Sequence, residues 1–161
     1  MKDSDDLGYT PDVRDVESVR GEANQLSSSL LDVIALKGDV TQPGPGVAVC
    51  GDRDADKFYK IHHPWSLRGV PFEEMSHAME RLKAELPKRG WKVVKYGPDS
   101  SPSRSLELIA NSTERKFSVN VSLYDGSKAG SSEASSAKED LLMVDLVSAC
   151  FRVPEGKTAG Y

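Results

Sequence analysis

Residues 116–125, KFSVNVSLYD, carry the clearest pattern in this chain, because apolar and polar residues alternate regularly along them. The apolar set is Phe117, Val119, Val121 and Leu123, and the other set is Ser118, Asn120, Ser122 and Tyr124. Successive side chains of a β-strand point to opposite faces of the sheet. The segment therefore predicts a strand with one face in a core and the other in water, as in an antiparallel sheet covered on one side.

Further strand candidates lie on both sides of this segment. Upstream are residues 47–51 (VAVCG), 57–63 (KFYKIHH), 91–97 (WKVVKYG) and 105–112 (SLELIANS). Downstream, residues 141–153 form a longer and more apolar run, which we expect to be a central strand. Strands that follow one another through short turns predict a mainly antiparallel sheet.

Two helix candidates complete the pattern. Residues 12–36 place apolar side chains at steps of three and four, with Pro11 at the first turn and Gly38 past the end. Residues 71–86 repeat the spacing, with Pro71 at the first helical position. The stripes are Val16, Val19, Ala23, Leu26, Leu30 and Val33 in the first helix and Phe72, Met75, Met79, Leu82 and Leu86 in the second. We expect an α+β fold: a two-layer sandwich whose mainly antiparallel sheet is covered on one face by both helices.

The stripe of the first helix leaves an alternative open. It covers about three heptads, enough for a coiled coil, which would make this a dimerisation helix. However, Ala23 and the three serines at residues 27–29 make a weak zipper. We therefore expect the helix to lie across the sheet and the protein to be a monomer.

Length and charge set the domain organisation and exclude some partners. The 161 residues predict one domain, which we place at residues 12–156, after a flexible acidic leader at 1–11 and before a tail at 157–161. Residues 126–140 are rich in Gly and Ser and predict a mobile loop. The net charge is −4 and the basic residues are scattered, so nucleic acid is not an expected partner. No apolar run approaches the roughly 20 residues that span a bilayer.

The chain has two cysteines, Cys50 and Cys150, and each ends a predicted strand. Their equivalent positions favour a disulfide that joins an early strand to the last one. The alternative is a pair of buried free thiols, which are common in protein cores. A disulfide would close a loop of about 100 residues and would indicate an oxidising compartment.

The stretch IHHPWSLRGVP, residues 61–71, is the most unusual in composition. His62 and His63 would point to opposite faces of a strand, so they cannot easily bind one metal ion, and no nucleophile motif accompanies them. We expect no catalytic residue, metal or cofactor here. We expect Pro64 to end the strand and Trp65 to pack under the following helix. The alternative is a binding surface for a carbohydrate or peptide, formed by Tyr59, His63, Trp65 and Arg68.

Six segments of residues 47–156 carry a resemblance to known proteins: AVC, HHPWSLRGV, LPKRGWKVVKYGPD, LELIA, FSVNVSL and LVSACFRVPEG. Together they resemble small exported lipoproteins of Streptomyces-like actinobacteria, a family of poorly defined function. The resemblance implies a lipid-bearing cysteine followed by a flexible acidic stretch, and KDSDDLGYTPD at residues 2–12 is similar to that stretch with the anchor removed. Some such proteins are thought to regulate envelope-stress signalling by binding a sensor.

These observations lead to one expectation and two alternatives. We expect a non-enzymatic, extracytoplasmic binding or regulatory module of the cell envelope that binds another envelope protein. It would be secreted, or attached to the membrane only through a removed N-terminal lipid anchor, since the chain has no export signal or lipobox cysteine of its own. The alternatives are a cytosolic oligomer that dimerises through the first helix and a small hydrolase that uses His63.

Overall fold

The computed structural model describes residues 9–41, 44–51, 53–126 and 140–159, which form two α-helices and eight strands. The helices are α1 (Val16–Ile34) and α2 (Phe72–Glu85), and a short 3-10 helix, Leu86–Arg89, follows α2. The strands are β1 (Asp39–Val40), β2 (Gly46–Ala48), β3 (Phe58–Arg68), β4 (Lys92–Pro98), β5 (Leu106–Ser112), β6 (Phe117–Tyr124), β7 (Leu141–Ser148) and β8 (Phe151–Arg152).

The strands form a single antiparallel sheet in the order β1-β3-β7-β6-β5-β4, and β2 and β8 also pair with β3. Strands β4 to β7 follow the chain order as a meander, because short turns join antiparallel neighbours. Strand β7 lies between β3 and β6, so the prediction that the last long apolar run is central is confirmed.

Both helices pack on the sheet, and the predicted α+β class is confirmed: α1 lies over β3 and β7, and α2 contacts β6. The apolar residues of KFSVNVSLYD are all buried at 3% exposure or less, as their alternation predicts. The stripe of α1 is buried too, from Val19 to Val33, with exposures of 7% or less. It lies in the core, so it does not provide the surface that a coiled-coil dimer needs.

The first helix begins later than predicted. Asp15 is its N-cap and accepts a hydrogen bond from the Glu17 N–H at 3.2 Å. The predicted first residues, 12–14, are extended and lie parallel to β8: Arg14 N–H donates to the Arg152 carbonyl at 2.9 Å. Backbone pairing with β8 therefore replaces the helical turn that Pro11 predicted.

The helix ends at Ala35, which adopts a left-handed conformation with φ of 56°, three residues before Gly38. The guanidinium of Arg81 on α2 donates to the carbonyl oxygens of Val33, at 3.3 Å, and of Ile34. These carbonyls have no partner within the helix, so Arg81 both caps α1 and joins the two helices.

The prediction that Pro64 ends the strand is wrong, because β3 continues through Pro64 to Arg68. The main chain of Ser66 points toward β1: its N–H donates to Thr41 Oγ1 at 2.9 Å, and its carbonyl accepts from Thr41 N–H at 3.0 Å. Pro64, two residues earlier, points the same way, into the gap between β1 and β2. Its missing N–H therefore costs no bond to β7, which explains how a proline fits in an interior strand.

The packed part of the chain extends beyond the predicted domain bounds at both ends. Tyr9 accepts a hydrogen bond from Cys150 N–H at 2.9 Å, and Ala159 is 3% exposed. Within the predicted mobile loop, Gly126 N–H donates to the Asp140 carboxylate at 3.1 Å; residues 127–139, like residues 1–8 of the leader and 160–161 of the tail, lie outside the described residues. Within the described ranges, neither helix is long and apolar enough to cross a membrane.

Candidate functional site

Cys50 and Cys150 form a disulfide, which confirms the predicted pairing. The bond joins the segment after β2 to the joint between β7 and β8, with the two Cα atoms 5.9 Å apart. Both residues are buried, at 2% and 8% exposure. The apolar run predicted as one strand over 141–153 is interrupted at this joint, where Ala149 N–H donates to the Lys116 carbonyl at 2.8 Å.

Three of the four predicted binding residues are buried, so the predicted surface is not an exposed one. Tyr59, His63 and Trp65 are 0%, 3% and 4% exposed, because residues 59, 63 and 65 of β3 all point to the face that the helices cover. Arg68 has the opposite parity and lies at the end of the strand. The Tyr59 hydroxyl donates to the Arg14 carbonyl at 2.8 Å, and burial raises its pKa to about 12.

Ser27 of α1 joins two of these buried residues in a polar cluster. Its Oγ lies 2.8 Å from Nδ1 of His63, and the indole Nε1–H of Trp65 donates to the same oxygen at 3.1 Å. Ser27 itself is 7% exposed. Burial, and secondarily the neighbouring His62, lower the pKa of His63, so the imidazole is neutral at physiological pH. The cluster therefore connects α1 to the sheet through uncharged hydrogen bonds.

A small recess opens beside this cluster, between α1 and the sheet edge at β1. Its volume is about 50 Å³. The residues that line it are Asn24, Ser27, Ser28, Leu31, Val40, His63 and Trp65. The second ring nitrogen of His63, Nε2, is buried and has no hydrogen-bond partner among the described residues. Buried polar atoms usually have a hydrogen-bond partner, and none of the described residues supplies one to this nitrogen.

The Ser27–His63 contact also meets the distance that a serine nucleophile and its base require. Two features of the geometry oppose that role. Trp65 donates to the serine oxygen and so competes for the lone pair that would attack, and within the described residues no carboxylate or carbonyl orients His63 through Nε2. Reactive triads normally include such an orienting group. The Ser27–His63 contact is therefore best described as a structural link between α1 and β3.

The face of the sheet opposite the helices carries a second polar arrangement, which spans five strands. His62 Nε2 and the Asp145 carboxylate are in hydrogen-bonding contact, with side chains 41% and 44% exposed. Asn120, paired with Asp145 in the register, donates to Glu107 at 2.8 Å, and Lys95 donates to the same carboxylate at 2.7 Å. Lys95, followed by Asn120, lowers the pKa of Glu107. We call this surface the open face.

The sequence predicted the polar residues of the open face, but it did not predict the recess. The polar half of KFSVNVSLYD supplies Ser118, Asn120 and Ser122 to the open face, as the alternation predicts. Ser27 lies among the apolar residues on the buried face of α1. Nothing in the helical spacing marks it as different from the neighbouring serines, 28 and 29. Its role depends on β3, 36 residues away in sequence, and no local signal could indicate that contact.

Similarity to known proteins gives no indication of the function of this chain. Comparison of the chain with family models, with curated proteins and with solved structures finds no match. Within the described part of the chain, no group of three or more His, Cys, Asp or Glu side chains is placed to hold a metal ion, and His62 and His63 lie on opposite faces of β3.

Proposed function

We propose that this protein is a non-enzymatic binding domain of the cell envelope that works outside the cytoplasm and binds another envelope protein. The observation that carries the proposal is the open face: a sheet surface left uncovered by the helices, with polar side chains ordered by contacts across strands. Protein–protein interfaces carry polar groups at their rims, and a surface that is ordered before binding loses less entropy when it binds. A regulatory role in envelope-stress signalling is the candidate biological setting.

The disulfide supports the location. Disulfides persist in oxidising compartments and are rare in the cytosol of most organisms, and this one is buried at both ends. We propose attachment to the membrane by a lipid on a cysteine N-terminal to the domain, and we expect the domain to be a monomer. Peptide mapping of protein isolated from its native cells, with and without reductant, tests the location: free Cys50 and Cys150 would contradict it.

A photo-crosslinking amino acid on the open face tests the binding function. Val147 is the position to replace, because it is half-buried between His62 and Ser118 on that face and its side chain makes no polar contact within the described residues. Ala84, exposed on α2, is the matched control position. We expect a crosslink to one envelope protein from position 147, lost when Asp145 is changed to Arg, and none from position 84. Equal capture from both positions, or none, would refute the open face as the binding surface.

The Ser27–His63 contact meets the distance requirement of a second candidate function, a small hydrolase. Ser27 Oγ would attack an ester carbonyl, His63 Nδ1 would take the serine proton and pass it to the departing alcohol, and water would then hydrolyse the acyl-enzyme. A fluorophosphonate reagent tests it directly. Covalent labelling at Ser27 that is lost in His63→Gln would establish this activity. Absence of labelling in the wild-type protein would eliminate it.

A further inference from the structure

Strand β4, Lys92–Pro98, forms one edge of the sheet, at the opposite end of the strand order from β1. It pairs with β5 on one side, and no described strand pairs with it on the other. The main-chain N–H and C=O groups along the outer side of an edge strand are available for hydrogen bonds with an added strand. An extended segment of another protein can therefore join the sheet at β4.

The chain around β4 is basic, although the whole chain has a net charge of −4. Residues 83–98 contain five basic side chains and one acidic side chain, and all five basic side chains are exposed. The five are Lys83, Lys88, Arg89, Lys92 and Lys95. Lys88 and Lys95 form ion pairs with glutamates, at 3.4 Å and 2.7 Å. The other three make no ion pair within the described ranges, so this edge carries an excess of positive charge.

These basic side chains flank β4 on both faces of the sheet. Lys92 and Lys95 lie on the open-face side, because their register partners on β5 have the parity of that face. On the helix side, the Lys83 ammonium lies 4.8 Å from the centre of the Tyr96 ring, and Arg89 donates to a serine of α1 at 3.1 Å. A strand added to β4 would therefore have positive charge close to it on either face.

Apolar surface accompanies the charge at this edge. Val94, at the irregularity in the pairing of β4 with β5, is 50% exposed. Val93 and Tyr96 point to the helix side and are partly exposed. A strand that alternates acidic and apolar residues directs its two sets of side chains to opposite faces. Such a strand can place carboxylates beside Lys92 and Lys95 and apolar groups beside Val93 and Tyr96.

A second copy of this chain does not fit the edge. Pairing of β4 with another β4 would bring the same basic residues together, and like charges in cross-strand contact are destabilising. Lysines, irregular pairing and a proline such as Pro98 are features that protect an edge strand from unwanted pairing. An acidic strand does not meet this repulsion, so the charge of the edge selects the kind of strand that binds.

We propose that β4 binds an acidic, extended segment of the protein partner, which joins the sheet as an additional strand. Main-chain hydrogen bonds hold the segment, and its carboxylates lie beside Lys92 and Lys95. The inference rests on the proposed function, because Lys95 belongs to the open face as well as to this edge and the segment is part of the same partner.

Three short peptides of equal length, acetylated and amidated, test the inference without the partner. One alternates glutamate and valine, one alternates glutamate and proline, and one alternates lysine and valine. The second has the charge of the first, but proline has no N–H and cannot pair as a strand. The ¹H–¹⁵N signals of β4 report binding, and those of β1, at the opposite edge, are the reference. We expect saturable shifts in β4 with the glutamate–valine peptide and binding at least about tenfold weaker with the other two.

Two matched charge reversals complete the test. Lys92→Glu reverses an exposed charge of β4, whereas Lys37→Glu makes the same change at an exposed position just before β1. We expect Lys92→Glu to weaken binding of the glutamate–valine peptide at least about fivefold and Lys37→Glu to change it by less than about twofold. Equal affinity for the two glutamate peptides, equal effects of the two reversals, or no saturable shift in β4 would each overturn the inference.

Failure of this inference is distinguishable from failure of the proposed function. Position 147 lies on β7, and two strands, β6 and β5, separate β7 from β4. A partner captured from position 147, together with a β4 that does not respond to the glutamate–valine peptide, would refute the acidic strand alone. A responsive β4 without any captured partner would refute the open face as the binding surface.

Discussion

The two faces of the sheet have the same strands and opposite chemistry. On β7, Leu142, Val144 and Leu146 point to the helices and are fully buried, whereas Met143, Asp145 and Val147 point away and are partly exposed. The covered face gains free energy from apolar burial, at about 25 cal/mol per Å². The open face is stabilised by contacts such as Lys95–Glu107, which contribute little when exposed.

This difference shows where the molecule can carry function without losing its fold. Residues of the covered face have fixed neighbours on all sides, so they cannot change freely. Side chains of the open face form hydrogen bonds and ion pairs with one another. Replacing these exposed contacts by contacts with a partner would change the free energy of folding little. The recess is the exception, because there polar groups lie on the covered side.

The largest expected effect is on the covered face. Leu146→Ala removes a fully buried side chain on the helix-covered face of the sheet and should lower the free energy of unfolding by about 2–5 kcal/mol. Val147→Ala, one residue further and on the open face, should cost about 1 kcal/mol or less. Urea unfolding of the two variants measures both. Equal losses would show that the open face is covered in solution.

The polar cluster on the covered side should be the next most sensitive region. Ser27→Ala removes the partner of Trp65 Nε1 and of His63 Nδ1 and leaves both buried groups unsatisfied, so we expect a loss of about 1–3 kcal/mol. Ser28→Ala, adjacent but exposed, should change stability by about 0.5 kcal/mol at most. Chemical denaturation followed by tryptophan fluorescence compares them. A neutral Ser27→Ala would mean that water replaces the hydroxyl.

The buried His63 should make the stability of the protein depend on pH. Burial lowers the pKa of His63 in the folded protein, so below about pH 6.5 the unfolded chain binds a proton that the folded protein does not. The free energy of unfolding should therefore fall as the pH decreases from about 6.5 toward the folded pKa, by at most about 1.4 kcal/mol per pH unit. His63→Gln should remove this component. Thermal unfolding between pH 5 and 8 provides the measurement; a fall that persists in His63→Gln would contradict the assignment.

The smallest effect should come from the ion pairs of the open face. Lys95→Met removes one of the two partners of Glu107, and because Lys95 is exposed we expect a loss of 0 to about 1 kcal/mol that shrinks at high salt. Unfolding at low and high ionic strength measures it. A loss in the free energy of unfolding as large as that of Leu146→Ala would contradict the expected difference between the two faces.

Structural features that follow from a repeating pattern within one segment were predictable from the sequence. Alternation along residues 116–125 and steps of three and four along α1 and α2 indicated which side chains are buried, since each element exposes one face to the core. The disulfide was predictable because only two cysteines are present, each at a strand end. Element boundaries were less predictable: pairing with β8 holds residues 12–14 extended, and an unpaired gap beside β3 accommodates Pro64.

The sequence by itself determined the class of fold, the buried stripes and the polar side of the sheet, because these follow from the period of apolar residues in each segment. Only the tertiary structure decided what those stripes face. It buried Tyr59, His63 and Trp65 on the face of the sheet that the helices cover rather than exposing them, and it brought Ser27 to His63 across 36 residues. The physical reason is that periodicity is a local property of the chain, whereas a recess exists only where separate elements meet.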